Sequence, residues 1–352
     1  MIEFVHDALP GRVVFAAGAL ARVADEAARL GIERAPLIAG ASQAAAAAVI
    51  EQGLGGRRAG TIGEAAMHVP IELAEAARAT ARDIGADGIV CIGGGSVTGL
   101  AKAIALDVEI PILAVPTTYS GSEMTTIWGI TEGGEKRTGR DRRVLPKTVV
   151  YDPGLTAGLA LAIAGPSGIN AIAHCVEALY AENANPVTSL MAEEGIRAMA
   201  EGLRAIARDP DDLDGRARAL LGAYFGGASL AVATMGIHHK LCHVLGGTFA
   251  LPHAETHTVI LPHATAFNRD AAPEAMARIA GALDSDDAAG GLRDLAAELG
   301  APTSLAAIGM PEAGLDRTAE AVTAAPYANP APVDLASVRS LLQDAFGGRR
   351  PR

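Results

Sequence analysis

The chain has 352 residues, half of them hydrophobic, which provides for two domains of ordinary size and excludes global disorder. Its 40 acidic and 29 basic residues leave a net charge of −11, and aromatics make up 3%, so both charge and the lack of stacking side chains argue against a nucleic-acid or anionic-membrane surface. Cys91, Cys175 and Cys242 lack CxxC spacing, no apolar run reaches about 18 residues, and no basic-then-apolar leader opens the chain, so the expectation is a cytoplasmic α/β protein without disulfides, thiolate metal site or membrane span.

In chain order, the apolar run 13–17 reads as a short strand and 19–30 has helical spacing. A buried strand is expected at 35–39, an alanine-rich helix at 43–51 and a further helix at 71–84. Gly88–Ile92 reads as a continuous apolar strand that ends in glycines, followed by a helix over 98–106 and a strand at 112–115 closed by Pro116. This β-α-β-α order predicts a mostly parallel sheet with helices on both faces. The stretch 132–143 reads as an exposed, charged hairpin, and 149–151 as the last strand. Beyond Pro166 the pattern is helical, with breaks expected at Asn185-Pro186, Asp209-Pro210, Pro252, Pro262, Pro302, Pro311 and Pro326. The division therefore falls after about residue 160: an α/β domain over 1–160 and a helical domain over 161–352.

Three groups of residues carry candidate chemistry. Gly93, Gly94, Gly95 and Ser96 form a strand-to-helix turn, where glycines admit a phosphate and the first helical N–H groups point at it. Pro116–Glu123 follows the next strand and reaches the same sheet edge, and the hydroxyls of Thr117, Thr118 and Ser122 suit phosphate or ribose oxygens. Six histidines lie within 238–263, namely His238, His239, His243, His253, His257 and His263. His239 and His243 share a helix face at i, i+4, with Gly246-Gly247 expected to end or bend that helix. Asn170 and His174 repeat the spacing on a helix that Ser167 is placed to cap, so a metal or proton-transfer site is expected where the pairs and His253 converge. The basic run Lys136, Arg137, Arg140, Arg142, Arg143 and Lys147 reads as a solvated hairpin.

In this order, these segments resemble the group III, iron-containing alcohol dehydrogenase family over nearly the whole chain. The resemblance implies an N-terminal dinucleotide-binding domain, an all-α C-terminal domain and an active site in the cleft between them, a fold shared with dehydroquinate synthase. The family's glycine motif continues into x-x-Asp-x-x-Lys; here Gly99 replaces the aspartate and Lys102 is kept, which implies cofactor binding by Gly93–Ser96, Lys102, Thr117, Thr118 and Ser122. The implied metal ligands are Asn170, His174, His239 and His253, with Asn170 standing where the family has an aspartate. An amide oxygen replaces an anion, so the expectation is a site that works without a firmly held divalent metal. Implied catalytic groups are His243, His239, Lys240 and His253, with His243 the proton donor or enolate stabiliser.

Gly99, Asn170, Pro116–Thr125, Thr138–Asp141 and the His238–His243 run together resemble the maleylacetate-reducing branch of the family. Its members reduce the C=C bond of 2-maleylacetate to 3-oxoadipate late in aerobic degradation of aromatic compounds. The implied partners are a small dicarboxylate substrate and a second copy of the chain, the run 13–17 being free to pair edge to edge, with neither nucleic acid nor membrane. NADH is the expected cofactor, with NADPH allowed because Gly40-Ala41-Ser42-Gln43 offers no acid for a ribose 2′-hydroxyl. A metal-dependent alcohol or aldehyde dehydrogenase, a dehydroquinate-synthase-like cyclase or lyase and a non-catalytic nucleotide sensor are the competing expectations.

Overall fold

The computed structural model describes residues 3–9, 11–63, 65–66, 69–133 and 135–351. The chain divides into two compact units, Leu9–Gly158 and Leu159–Arg352, the second also taking in the N-terminal residues through Ala8. The sequence reading counted those N-terminal residues with the first domain. Residues 3–9 form neither strand nor helix, so periodicity gave them no signal.

Among the described residues the first unit has eight strands: β1 (Arg12–Phe15), β2 (Ala35–Ala39), β3 (Arg58–Thr61), β4 (Ile89–Gly93), β5 (Ile112–Pro116), β6 (Ile127–Glu132), β7 (Glu135–Arg140) and β8 (Thr148–Tyr151). Six form a sheet in the order β1-β8-β5-β4-β2-β3, every pair parallel. Its helices are α1 (Val23–Arg29), α2 (Ala44–Leu54), α3 (Ile71–Asp83) and α4 (Gly95–Val108). The strands bury both faces by alternation, as period-two side chains must. Leu37, Val90, Ile92, Leu113 and Val115 pack with Val23, Ala27, Ile50 and Leu54 of α1 and α2. Ile38, Ile89, Cys91, Ile112 and Ala114 pack with Ala74, Ala77, Ala81, Leu100 and Ile104 of α3 and α4. β2 and β4 are neighbours whose following helices lie on opposite faces, which opens a crevice at their carboxyl ends.

Several boundaries differ from the sequence expectation. β3 was missed, because its segment Arg-Ala-Gly-Thr is short and polar and lies at the sheet edge. The hairpin strands begin at Ile127, with Trp128 across from Gly139. The side chain of Lys136 lies outside the described residues. Arg137 pairs with Glu132, and Arg143 with Asp141 and Glu109, all exposed except the half-buried Asp141. Such pairs contribute little to stability, in keeping with a solvated hairpin.

The second unit contains α5 (Leu161–Leu179), α6 (Pro186–Arg208), α7 (Leu213–Val232), α8 (Ile237–Phe249), α9 (His253–Phe267), α10 (Pro273–Leu283), α11 (Ala288–Glu298), α12 (Leu315–Thr323) and α13 (Leu335–Phe346). Pro166 and Pro262 sit inside α5 and α9 rather than between helices. Proline inside a helix costs about 3 kcal/mol, but residues 256–265 of α9 are all buried and packing holds the helix. Ser167 caps nothing, since α5 begins six residues earlier with Ala160 at its N-cap. α8 runs through Gly246-Gly247 and stops where Ala250 turns left-handed at φ 52°. Among the described residues no single helix is long and apolar enough to cross a membrane.

Close approach of α6 and α7 rests on small residues. A Cβ at Gly202 would lie 2.5 Å from the backbone nitrogen of Ala219 and 2.7 Å from the carbonyl oxygen of Gly215. Replacing Gly202 with Ala gains about 1 kcal/mol of helix propensity. It also forces two backbones apart, at a cost of about 1–3 kcal/mol for overpacking. Gly202→Ala is therefore expected to lower the urea midpoint, and an unchanged or higher midpoint contradicts this packing.

Candidate functional site

In the α/β unit, Gly93 ends β4 at φ 156° and Gly94 is the N-cap of α4, with no side chain capping the helix. Gly94, Gly95 and Ser96 are half-buried and so retain access to solvent. Gly93 is sterically required, and Gly94 leaves little room for a Cβ. A Cβ on Gly93 would meet Val97 Cγ2 at 2.5 Å, and one on Gly94 would meet the Thr118 methyl at 3.1 Å and its hydroxyl at 3.2 Å. The Thr117 N–H donates to the Gly93 carbonyl at 3.0 Å and the Gly40 N–H to the Ile92 carbonyl at 3.0 Å. Thus the turns after β2, β4 and β5 adjoin, and they bring uncapped helix N–H groups beside the Thr118 hydroxyl. An anion such as a pyrophosphate is the ligand this arrangement suits.

Lys102 is placed differently from its expected role. It is 1% exposed, and its Nζ lies 2.6 Å from the Ser122 carbonyl, 2.8 Å from that of Thr125, 2.9 Å from Thr125 Oγ1 and 2.8 Å from the Ile127 carbonyl. Every proton of the ammonium is spent inside the unit, tying α4 to the segment after β5. Lys102 thus braces the loop that carries Thr117, Thr118 and Ser122 and does not reach a ligand. Burial draws its pKa down to about 7, opposed by the Glu123 carboxylate. Burial raises the Glu123 carboxyl, while the Tyr151 hydroxyl, donating at 2.8 Å, opposes the shift.

In the helical unit, six imidazoles from three helices adjoin. The rings of His174 (α5) and His239 (α8) stack with centroids 5.3 Å apart. His239 lies 5.1 Å from His238, 6.1 Å from His243 and 5.1 Å from His257, and His257 is 4.3 Å from His253. His174, His238, His239 and His257 are buried, whereas His243 and His253 are exposed. His263 is not in the cluster; its charge neighbours are Asp344 and Arg293, and burial lowers its pKa to about 4. Lys240 sits beside the His239–His243 face with its ammonium 5.9 Å from the centre of the Tyr327 ring, a cation–π distance.

One residue that the sequence reading overlooked organises this cluster. Glu177 on α5 is fully buried and accepts from the N–H groups of Gly236 at 3.1 Å, His238 at 2.9 Å and His239 at 3.3 Å. His239 Nδ1 lies 2.6 Å from the same carboxylate. Gly236, the N-cap of α8, lacks a capping side chain, and a Cβ there would come within 3.1 Å of Glu177 Oε1. The signal was present: Asn170, His174 and Glu177 stand at i, i+4 and i+7, one stripe of α5.

Two acceptors, Asn170 Oδ1, one turn of α5 before His174, and His239 Nε2, are buried without a hydrogen-bond partner among the described residues. Unpaired lone pairs on an amide and an imidazole are what a cation would use, so Asn170, His174, His239 and His253 fit a divalent ion by donor type. Behind them, His238, Cys242 and His257 place one donor atom each within 4.8 Å of one another. Here His238 Nε2 and His257 Nδ1 are 2.9 Å apart, a hydrogen-bond distance, and Cys242 Sγ is 3.7 Å from His238 Nε2. Tetrahedral zinc separates two nitrogens by about 3.3 Å, so this trio reads as a hydrogen-bonded layer supporting the first.

Burial, then repulsion from neighbouring imidazoles, pushes the pKa values of His174, His238 and His257 well below the ordinary 6.5. They are neutral when folded and take up protons when unfolded below about pH 6.5. The unfolded chain then binds more protons, so stability falls as pH drops through that value, by up to about 1.4 kcal/mol per pH unit for each imidazole. Urea midpoints are expected to decline steeply from pH 6.5 to pH 5; a level profile over that range contradicts neutral burial.

Comparison with known proteins gives the family of the chain. Residues 10–153 match the family model for iron-containing alcohol dehydrogenase, and residues 165–346 match the C-terminal model of the Fe-containing alcohol dehydrogenase family. The maleylacetate reductase of Burkholderia cepacia is 52% identical over 351 residues, 100% of both chains. That of Sphingobium indicum is 50% identical over 350 residues, 99% of each. The crystal structure of maleylacetate reductase from Agrobacterium tumefaciens is 48% identical and superposes with a TM-score of 0.96 over 100% of both chains. The chain is an oxidoreductase that belongs to the iron-containing alcohol dehydrogenase family, on the branch of the maleylacetate reductases.

Proposed function

We propose that the protein reduces the carbon–carbon double bond of 2-maleylacetate with hydride from NADH, giving 3-oxoadipate and NAD⁺. The observation that carries this reading is identity of about half the residues, over the full length, to proteins of that activity. In it, the α/β unit holds the dinucleotide at the turns after β2, β4 and β5. The loop 40–43 presents no carboxylate, so NADPH is admitted as well as NADH. The protein works as a cytoplasmic homodimer, and the open edge of β1, with Phe15 partly exposed, is the part of the sheet available for pairing.

The helical unit supplies the acid–base groups. Hydride adds to the alkene carbon β to the ketone, and the electron pair moves to the ketone oxygen as an enolate. Donors held ready for that oxygen lower the barrier, because the charge exists only after hydride attack. His243, solvent-accessible and one turn beyond His239, gives the proton that ends on the adjacent carbon and is reprotonated from water. His239 and His253 flank it, and Lys240 supplies positive charge for the substrate carboxylates.

A divalent ion, when bound by Asn170, His174, His239 and His253, would supply Lewis-acid stabilisation of the ketone oxygen. With Asn170 in place of an aspartate the ligand set carries no negative charge, so the ion is held weakly. Asn170→Asp is expected to raise affinity for zinc or iron by at least tenfold, measured by calorimetry on the metal-free protein; equal affinity contradicts the role given to Asn170.

The reading is tested by following NADH oxidation with 2-maleylacetate, with and without a chelator. Turnover on maleylacetate supports it. Turnover confined to simple alcohols or aldehydes and abolished by the chelator overturns it in favour of a metal-dependent dehydrogenase. His243→Ala is expected to lower kcat by about 10²–10⁴-fold, the range for one acid–base group. An enzyme with wild-type kcat and only reduced thermal stability removes His243 from the chemistry.

A further inference from the structure

We infer that Glu177 is the positioning residue of this site: it fixes His239 as the Nδ1–H tautomer, so that the Nε2 lone pair is held ready for substrate, proton or cation. The inference rests on the proposed reading only for the reaction in which His239 serves; the tautomer itself follows from geometry.

A carboxylate within 2.6 Å of His239 Nδ1 accepts a proton from it, since two acceptors at that distance would repel. A neutral imidazole carries one proton, so a proton on Nδ1 leaves Nε2 as a bare acceptor. Nε2 is the atom found buried with no hydrogen-bond partner among the described residues. An unpaired buried acceptor is destabilising, and the fold tolerates it here because Glu177 leaves the ring no alternative. Rotation of the ring is blocked from both sides. His174 stacks on its face at 5.3 Å, and the edges of His238 and His257 meet it at 5.1 Å each.

The carboxylate is itself held. Three N–H groups of the first turn of α8 donate to it, and the positive end of the helix dipole favours its charge. Glu177 is also the only carboxylate among the described residues of the helical unit that is buried. Asn170 contributes no charge to the cluster. The negative charge that a ligating aspartate would place beside the reacting atoms is therefore supplied from the far side of His239, by the carboxylate that holds its Nδ1.

Glutamine at position 177 keeps the shape and reverses one half of the amide. Its oxygen can accept from an α8 N–H, but its NH₂ then faces His239 Nδ1 and donates to it, which moves the ring proton to Nε2. The test is nitrogen NMR on protein labelled in histidine, without metal or substrate. In the wild type, His239 is expected to show a protonated Nδ1 and an unprotonated Nε2; the opposite pattern overturns the inference without any variant. In a folded Glu177→Gln protein, the pattern is expected to invert, kcat with 2-maleylacetate to fall by at least 10²-fold, and the Kd for NADH to remain within twofold. Loss of thermal stability with an unchanged tautomer and wild-type kcat assigns Glu177 to structure alone and overturns the positioning role. A wild type with the expected tautomer but no turnover of 2-maleylacetate overturns the functional reading and leaves the tautomer assignment standing.

Discussion

A carboxylate removed from water must find its donors inside the protein, and Glu177 finds them at the first turn of α8. That requirement fixes much else. It docks the N-terminus of α8 against α5, at a glycine N-cap where a Cβ would crowd Asn329 Oδ1 at 2.9 Å and Glu177 Oε1 at 3.1 Å. It also sets the rotation of α8 that puts His239 beside His174. Moving Glu177 would leave three helix N–H groups and one imidazole N–H without acceptors, so the arrangement has no low-energy alternative close by.

The imidazole layers show how neutral groups make a polar interior stable. Burial is the larger penalty on a charged imidazole here, and repulsion from any other charged imidazole of the cluster adds to it. His174, His238 and His257 therefore remain uncharged, while one hydrogen bond joins His238 to His257 and another joins His239 to Glu177. The exposed members, His243 and His253, keep contact with water and with it the capacity to exchange protons. Position within one cluster thus separates supporting histidines from those suited to chemistry, although all are the same residue type.

The α/β unit solves a different problem. A phosphate must approach backbone N–H groups closely, so the turn after β4 opens on three glycines, and the loops beside it must be rigid. Lys102 provides the rigidity by drawing three carbonyls and a hydroxyl onto one ammonium. The cost is a desolvated cation, offset by those acceptors and by the nearby Glu123. A lysine in a glycine motif suggests a hand reaching for phosphate, but its length lets it serve equally well as a brace beneath the loop.

By itself the sequence determined the alternating strands and helices of the first half, the helical second half, the glycine turn at a strand's carboxyl end and the i, i+4 pairs at 170/174 and 239/243. These are local properties: a strand buried on both faces must be apolar throughout, and a helix must repeat every three to four residues. Segments whose stability comes from neighbours were not legible, among them β3 at the sheet edge and the prolines inside α5 and α9, where packing outweighs propensity. Nor were the partners of Lys102 and Glu177. Local spacing puts Glu177 on the stripe of Asn170 and His174, but nothing in it says that residues about 60 positions later would close upon its carboxylate. Only the tertiary structure decided that, because satisfying a buried charge is a property of the space around it and not of the chain on either side.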